Sequence, residues 1–265
     1  IKTWFGNFTT TVGAYMLHTD FIGYNIYPGA EFQWGITESS AFWGNWGTGQ
    51  RLPTYTDWYY RDPGNSSNPN LKSESAQNSE LGYRYKKGNF TTQISVFQKA
   101  YSNMIDWIRP IDTLPWTPVN IANLTFNGIE GEFKVVDFMP VLSENTEFVF
   151  NACLLDDSQF ENGGYQSKNA LNYMMYQQNT RVRFKLWEGE DSEFQNSVYL
   201  TGVWRLVNRT NGNSYHIFDA KLEFNRGKSW NAYANFMNIG NTQYREIASV
   251  PLMPRWFGLG IAAKL

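Results

Sequence analysis

A chain of 265 residues with a formal net charge of −2, 17% charged and 17% aromatic, is too rich in rings for a disordered segment and lacks the basic excess of a nucleic-acid binder. Cys153 is the single cysteine, which excludes a disulfide framework and a thiolate metal cluster. No apolar run approaches the roughly 18 residues of a membrane-crossing helix, so a membrane protein with this sequence must cross with strands; a carbohydrate-handling β-sandwich is equally rich in rings.

The chain reads as strands from its start, and the expectation is of a processed chain or a piece of something longer. Asn7 to Leu17 and Gly29 to Ile36 make a first pair, the second setting Ala30, Phe32, Trp34 and Ile36 opposite Glu31, Gln33 and Gly35. Ala41 to Gly47 is apolar on both faces. Leu81, Tyr83 and Tyr85 then oppose Glu80, Arg84 and Lys86, and after a tight Lys87-Gly88 turn Phe90, Thr92, Ile94 and Val96 oppose Thr91, Gln93 and Ser95, the pattern of a hairpin.

Ile129, Gly131, Phe133 and Val135 alternate with Glu130, Glu132 and Lys134, and Phe148, Phe150, Ala152 and Leu154 with Glu147, Val149, Asn151 and Cys153, which makes the cysteine a small inward filler. Val182, Phe184 and Leu186 oppose Arg181, Arg183 and Lys185; Val198, Leu200, Gly202, Trp204 and Leu206 oppose Tyr199, Thr201 and Arg205. Phe218, Ala220, Leu222 and Phe224 face away from Asp219, Lys221, Glu223 and Asn225, and Ser229 to Met237 returns beside them. The last ten residues, Trp256 to Leu265, keep Phe257, Leu259, Ile261, Ala263 and Leu265 on one side, over the roughly 9–11 residues that a transmembrane strand needs.

About twelve strands are counted in this way. Alternation alone fits a sandwich that buries one face. The connections discriminate better: those after alternate strands are short (37–40, 87–88, 226–228) and those between are long (49–75, 101–118, 156–176, 239–255), as in outer-membrane barrels with tight turns at one end and long loops at the other.

Gly49-Gln50-Arg51-Leu52-Pro53-Thr54, Asp57-Trp58-Tyr59-Tyr60, Asn68-Pro69-Asn70-Leu71-Lys72-Ser73-Glu74 and Glu80-Leu81-Gly82-Tyr83 resemble successive motifs of the TonB-dependent outer-membrane receptor family. Asp106-Trp107, Pro115 to Asn120, Gly128-Ile129-Glu130, Asn235 to Tyr244 and Pro254 to Phe257 continue the resemblance in order. Within that family, the region from Trp107 to Glu130 is most similar to the cobalamin-receptor subgroup. The resemblance implies an all-β fold, an antiparallel transmembrane β-barrel of about 22 strands, of which residues 1–265 would supply about twelve C-terminal ones. It also implies a bacterial outer-membrane location, import of a scarce nutrient and no enzymatic activity or cofactor. The partners implied are the plug and N-terminal strands of the same receptor, the energy-transducing TonB complex, outer-membrane lipid and a small nutrient ligand, with room for a surface lipoprotein over the outer loops and no role for nucleic acid. The family's usual aromatic last residue is replaced here by Leu265.

Ligand capture is assigned to the long loops, where concave aromatic surfaces carry a few fixed polar groups. The candidates are Trp58, Tyr59, Tyr60 and Arg61, then Trp107, Arg109 and Trp116, then Tyr165 with Phe160 and Tyr173; the family-motif residues are Arg51, Pro53, Asn68, Pro69, Asn70 and Leu71. Rings suit a flat macrocycle, and Arg61 or Arg109 an anionic group; the competing role for each ring is packing loops together or forming a girdle. No histidine lies between the Arg51 and Asn68 motifs, which sets a haem cargo behind a corrinoid first and a ferric siderophore second. Asp156, Asp157 and Glu161 lack the ligand spacing of a calcium loop. The other readings are a soluble secreted carbohydrate-binding sandwich and a twelve-stranded outer-membrane hydrolase using His216 as base.

Overall fold

The computed structural model describes residues 2–5, 7–121, 123–139, 145–156, 164–168, 173–190, 195–210, 214–227, 229–247 and 250–263. In chain order the elements are β1 (Lys2–Phe5), β2 (Phe8–Thr19), β3 (Gly23–Thr37), β4 (Ser40–Arg51), α1 (Tyr55–Tyr59), β5 (Glu74–Lys87), β6 (Phe90–Ser102), β7 (Ile105–Arg109), β8 (Thr117–Asn120), β9 (Leu124–Val136), β10 (Glu147–Asp156), β11 (Gln166–Ser167), β12 (Met174–Glu190), β13 (Gln195–Arg209), β14 (Ser214–Arg226), β15 (Trp230–Met237), β16 (Arg245–Ile247), β17 (Val250–Pro251) and β18 (Trp256–Ala263). The main sheet has thirteen strands in the order β1-β2-β3-β4-β5-β6-β9-β10-β12-β13-β14-β15-β18, one more than the alternation suggested because the short β1 pairs with β2. β3 and β13 run 15 residues and β12 runs 17, beyond the roughly 9–11 needed to cross hydrocarbon.

The long connections leave β4, β6, β10 and β15, all even members of the sheet order, while 6–7, 38–39, 88–89, 191–194 and 227–229 leave odd ones. The sorting is less strict than the sequence implied: the connections 20–22 and 210–213, which leave even members of the sheet order, are short, and 137–146, which leaves an odd one, is longer than its counterparts.

By Cα proximity the chain forms two compact units. In the first (Ile1–Tyr85, Gln93–Glu130, Leu154–Met174), register brings Thr11, Glu31, Asn45 and Glu80 into one row, with the Asn45 amide donating to Glu80 at 3.0 Å and Asn78 donating to Asn45 at 3.1 Å. The opposite face carries Phe8, Trp34, Phe42 and Tyr83 in register. Trp34, Phe42 and Leu81 are exposed there. Ala41 to Gly47, apolar on both sides, is resolved by β4: Phe42 and Trp46 point outward, while Trp43 lies over Gly82 so closely that a Cβ at 82 would meet the indole at 2.3 Å.

In the second unit (Lys86–Thr92, Gly131–Cys153, Met175–Leu265) Leu200 pairs with Leu222 and Trp204 with Phe218, whose rings stack at 6.0 Å with 5° between planes. Phe257, Leu259 and Ile261 on β18 are 77%, 87% and 78% exposed. The other face holds the charges: Lys221 to Glu223 at 2.7 Å, Arg205 to Asp219 and Arg183 to Glu223 at 3.9 Å, and Lys134 and Arg181 on Glu147 at 2.5 and 2.6 Å.

A water-soluble sandwich would bury the apolar rows and wet the acids and lysines. Here the apolar rows are bare and the charges just named are paired, most of them half-buried, so the soluble sandwich is overturned: this apolar face is stable against lipid, with the main-chain polar groups of the inner strands of the sheet taken up by the strands on either side. His216 sits exposed on that same face, edge-on to Phe218 at 5.8 Å, a poor place for a general base. Cys153 is half-buried.

Candidate functional site

The long connections of the first unit are built outward from Arg51. Its guanidinium donates to Glu74 at 2.9 Å and to the Ile105 carbonyl at 3.2 Å, and lies 3.8 Å from Asp57; Glu74 in turn accepts from the Ile105 N–H at 3.0 Å. Thr54-x-x-Asp57 forms a capping box: Thr54 N–H donates to Asp57 at 2.8 Å and Asp57 N–H to the Thr54 hydroxyl at 3.2 Å, which starts the short helix α1. The Asp57 carboxylate, 5% exposed, also accepts from Trp107 Nε1 at 2.9 Å.

The motif Asn68 to Leu71 continues this scaffold. The Asn68 side chain donates to the Pro118 carbonyl at 3.0 Å and accepts from Asn70 N–H at 3.0 Å, while Leu71 is 2% exposed and Pro53 is buried. Asn120 accepts from Lys72 N–H at 2.8 Å and donates to the Lys72 carbonyl at 2.9 Å. Arg51, Pro53, Asn68 and Leu71 therefore hold the loop bases together; Pro69 and Asn70 are exposed.

The 101–118 stretch, read from sequence as open loop, contains β7 and the start of β8, and with β11 these form a second sheet in the order β11-β7-β8. Register places Trp107 opposite Pro118 and Arg109 opposite Gln166. Three sequence candidates meet here: the Arg109 guanidinium lies 4.4 Å from the Trp116 ring centre, and Lys168 Nζ lies 4.8 Å from that of Trp107 and 5.1 Å from that of Trp116. Lys168 also donates to Asn65 Oδ1 at 2.7 Å, Ser66 N–H to the Trp116 carbonyl at 2.8 Å, and Ser167 to the fully buried Asp106. Arg109 is spent on Asp112 at 2.5 Å and Gln166 at 2.7 Å. Burial pushes the Lys168 ammonium below its usual range; Arg109 adds to this, and Asp62 and Asp106 oppose it.

Tyr60 joins that knot through Asp62 and Asn65, while Trp58, Tyr59 and Arg61 contact other groups. Trp58 is half-buried against Phe21 at 4.9 Å, and Tyr59 packs on Tyr55 at 5.0 Å. Tyr55, Tyr59 and Tyr60 stay 78%, 59% and 47% exposed. Tyr60 donates its hydroxyl to Asp62 at 2.7 Å, which raises the phenol and, with Asn65, lowers the carboxyl. Arg61 is exposed and donates to Ser67 at 3.0 Å. Tyr165 is exposed; Tyr173 packs edge-on to Phe126 at 5.0 Å. Asp156 is exposed, and Phe160, Asp157 and Glu161 lie outside the described residues. Among the described residues no group of three or more His, Cys, Asp or Glu side chains could hold a metal ion.

Sequence reasoning placed Asp57 in a family motif without giving it a role, and missed Phe21 and Lys168. The Thr54-x-x-Asp57 spacing could have found that role; a lone lysine in a long connection carries no signal.

A family model described as TonB dependent receptor-like, beta-barrel, matches residues 3–239. A vitamin B12 transporter BtuB of Vibrio vulnificus is 40% identical over 86 residues, 32% of this chain and 14% of that protein. One from Photobacterium profundum is 31% identical over 100 residues, 37% and 16% of the two chains. Among solved structures, a mutant ferric enterobactin receptor PfeA from Pseudomonas aeruginosa aligns with a TM-score of 0.70 at 17% identity, covering 98% of this chain and 43% of that one. The siderophore receptor PirA from Acinetobacter baumannii gives 0.67 at 13% identity, covering 96% and 43%. The chain spans under half the length of these structures.

Proposed function

This chain belongs to the TonB-dependent receptor β-barrel family, whose barrels reside in the outer membrane, and from that premise we propose that it forms the C-terminal wall and outer loops of a receptor that captures a scarce nutrient for import. The observation that carries the reading is the loop package of the first unit. Polar and cation–ring contacts spanning 50 to 103 residues of sequence fix the connections rigidly to one another, while Tyr55, Tyr59, Tyr60, Arg61 and Tyr165 stay exposed on them. Rigid support beneath accessible rings lowers the ordering cost of binding.

A cobalamin-type corrinoid is the first cargo, supported by the partial matches to vitamin B12 transporters and by rings suited to a flat macrocycle. A ferric siderophore is second, favoured by the receptors of similar fold. The remaining strands and the plug come from another part of the receptor: β1 and β18 each have one neighbour in the described sheet, and an open edge in hydrocarbon costs several kcal/mol per unpaired group. The energy-transducing TonB protein would act on that plug.

Calorimetry of the complete receptor with corrinoids and ferric chelates tests the cargo. Corrinoid binding at micromolar or tighter dissociation constants supports the first choice; corrinoid affinity no tighter than about 1 mM, or roughly −4 kcal/mol, rejects it.

A further inference from the structure

Between Leu81, Val96, Ile129 and Leu154 the apolar face of the first unit is recessed into a groove of about 590 Å3, within the usual size range of small-molecule pockets. All four side chains belong to the lipid-facing rows and are 41–52% exposed, so the groove is continuous with the membrane interface. Along the strands, toward the 103–123 and 157–173 connections, the lining turns polar at Gln98, Asn127 and Asp156. Gln98 donates its side-chain amide to Asn127 at 2.9 Å.

A head-to-tail pair of primary amides leaves one carbonyl oxygen and one NH2 group unspent by the bond between them. That is the complement of a secondary amide, which offers one N–H and one C=O. An ester offers acceptors alone and can pair with the NH2 group only, leaving the exposed carbonyl of the pair to water. Among the described residues no lysine or arginine lines the groove, and Asp156 at its rim disfavours a bare phosphate while accepting from hydroxyl groups.

We propose that this groove seats an amide-linked acyl chain of a glycolipid from the leaflet on the side of the long connections, its hydrocarbon on Leu81, Val96, Ile129 and Leu154 and its amide on the Gln98–Asn127 pair. Specificity comes from the amide, and the chain is held by apolar contact.

The test uses the complete receptor extracted from outer membranes, with lipid A and dioleoyl phosphatidylethanolamine as competing probes and retained lipid measured by native mass spectrometry. Wild type is expected to favour lipid A by about tenfold, the equivalent of one paired hydrogen-bonding group. Gln98→Leu combined with Asn127→Leu should bring that ratio close to one, and Leu154→Trp should reduce retention of both lipids by filling the groove. Heat-modifiable migration on a gel checks that each variant is folded, and Val96→Trp replaces Leu154→Trp if the latter is not. Equal retention of the two lipids by wild type, or a ratio unmoved in the double leucine variant, overturns the proposal.

Discussion

Trp107 donates its indole N–H to Asp57 at 2.9 Å across fifty residues of sequence, and that one carboxylate also caps α1 and faces Arg51. Replacing Trp107 by Phe keeps the ring but leaves a buried carboxylate oxygen short of a donor, at a cost of about 1–3 kcal/mol. Asp57→Ala additionally removes the cap, worth about 1 kcal/mol. Hydrogen exchange should accelerate in both 52–73 and 103–123 in either variant; acceleration confined to one connection would contradict a shared hub.

The exposed and buried rings should separate in a binding experiment. Tyr59→Ala and Arg61→Ala are expected to weaken nutrient binding by about tenfold or more, roughly 1.4 kcal/mol, with exchange rates of the loops unchanged. Trp116→Ala removes the surface under Arg109 and Lys168 and should loosen the loops before it alters affinity. Equal loosening in all three variants would assign the outer tyrosine to packing.

The two faces of β14 give opposite expectations. Leu222→Arg places a cation on the lipid-facing row and should destabilise the inserted protein by about 2–4 kcal/mol if the site lies near the bilayer midplane. Lys221→Gln removes one partially exposed ion pair with Glu223 and should cost no more than about 1 kcal/mol. Denaturant titration in liposomes checks both; a larger loss for the lysine would reverse the orientation of the strand.

These faces were legible in the sequence because alternation depends on each strand alone: Phe218 and Asp219 point apart wherever the strand is placed. The loop package was not legible in the same way. Arg109 and Trp116 were selected as ligand groups, yet their contacts run to Gln166 and Lys168, and pairings between distant short segments leave no periodic trace. The motif around Arg51 and Asn68 was recognised, but its work in tying Glu74, Ile105 and Pro118 together emerges only from the geometry.

The tip of the 52–73 connection should respond to acid. Tyr60 and Asn65 hold the Asp62 carboxyl below its usual range, so the folded tip binds its proton more weakly than the unfolded chain does. The ordering contributed by Asp62 is therefore fully present above the ordinary carboxylate range and is lost as pH falls through the lowered value. Gly64 N–H donates to Asp62 at 2.7 Å and its exchange protection reports the transition. Tyr60→Phe should move the midpoint upward; an unmoved midpoint would show that the phenol does not stabilise the carboxylate.

Trp43 and Gly82 provide a test of packing on the polar face. The indole occupies the space above Gly82, so the smallest side chain at 82 would stand 2.3 Å from a ring atom. Gly82→Ala must drive the ring from its resting place, and forced repacking of this kind costs about 1–3 kcal/mol. Shrinking the neighbour removes the clash: in a Trp43→Ala background the same alanine should be close to neutral. A double-mutant cycle by denaturant titration measures the difference, and a coupling below about 0.5 kcal/mol would mean that the two positions are independent.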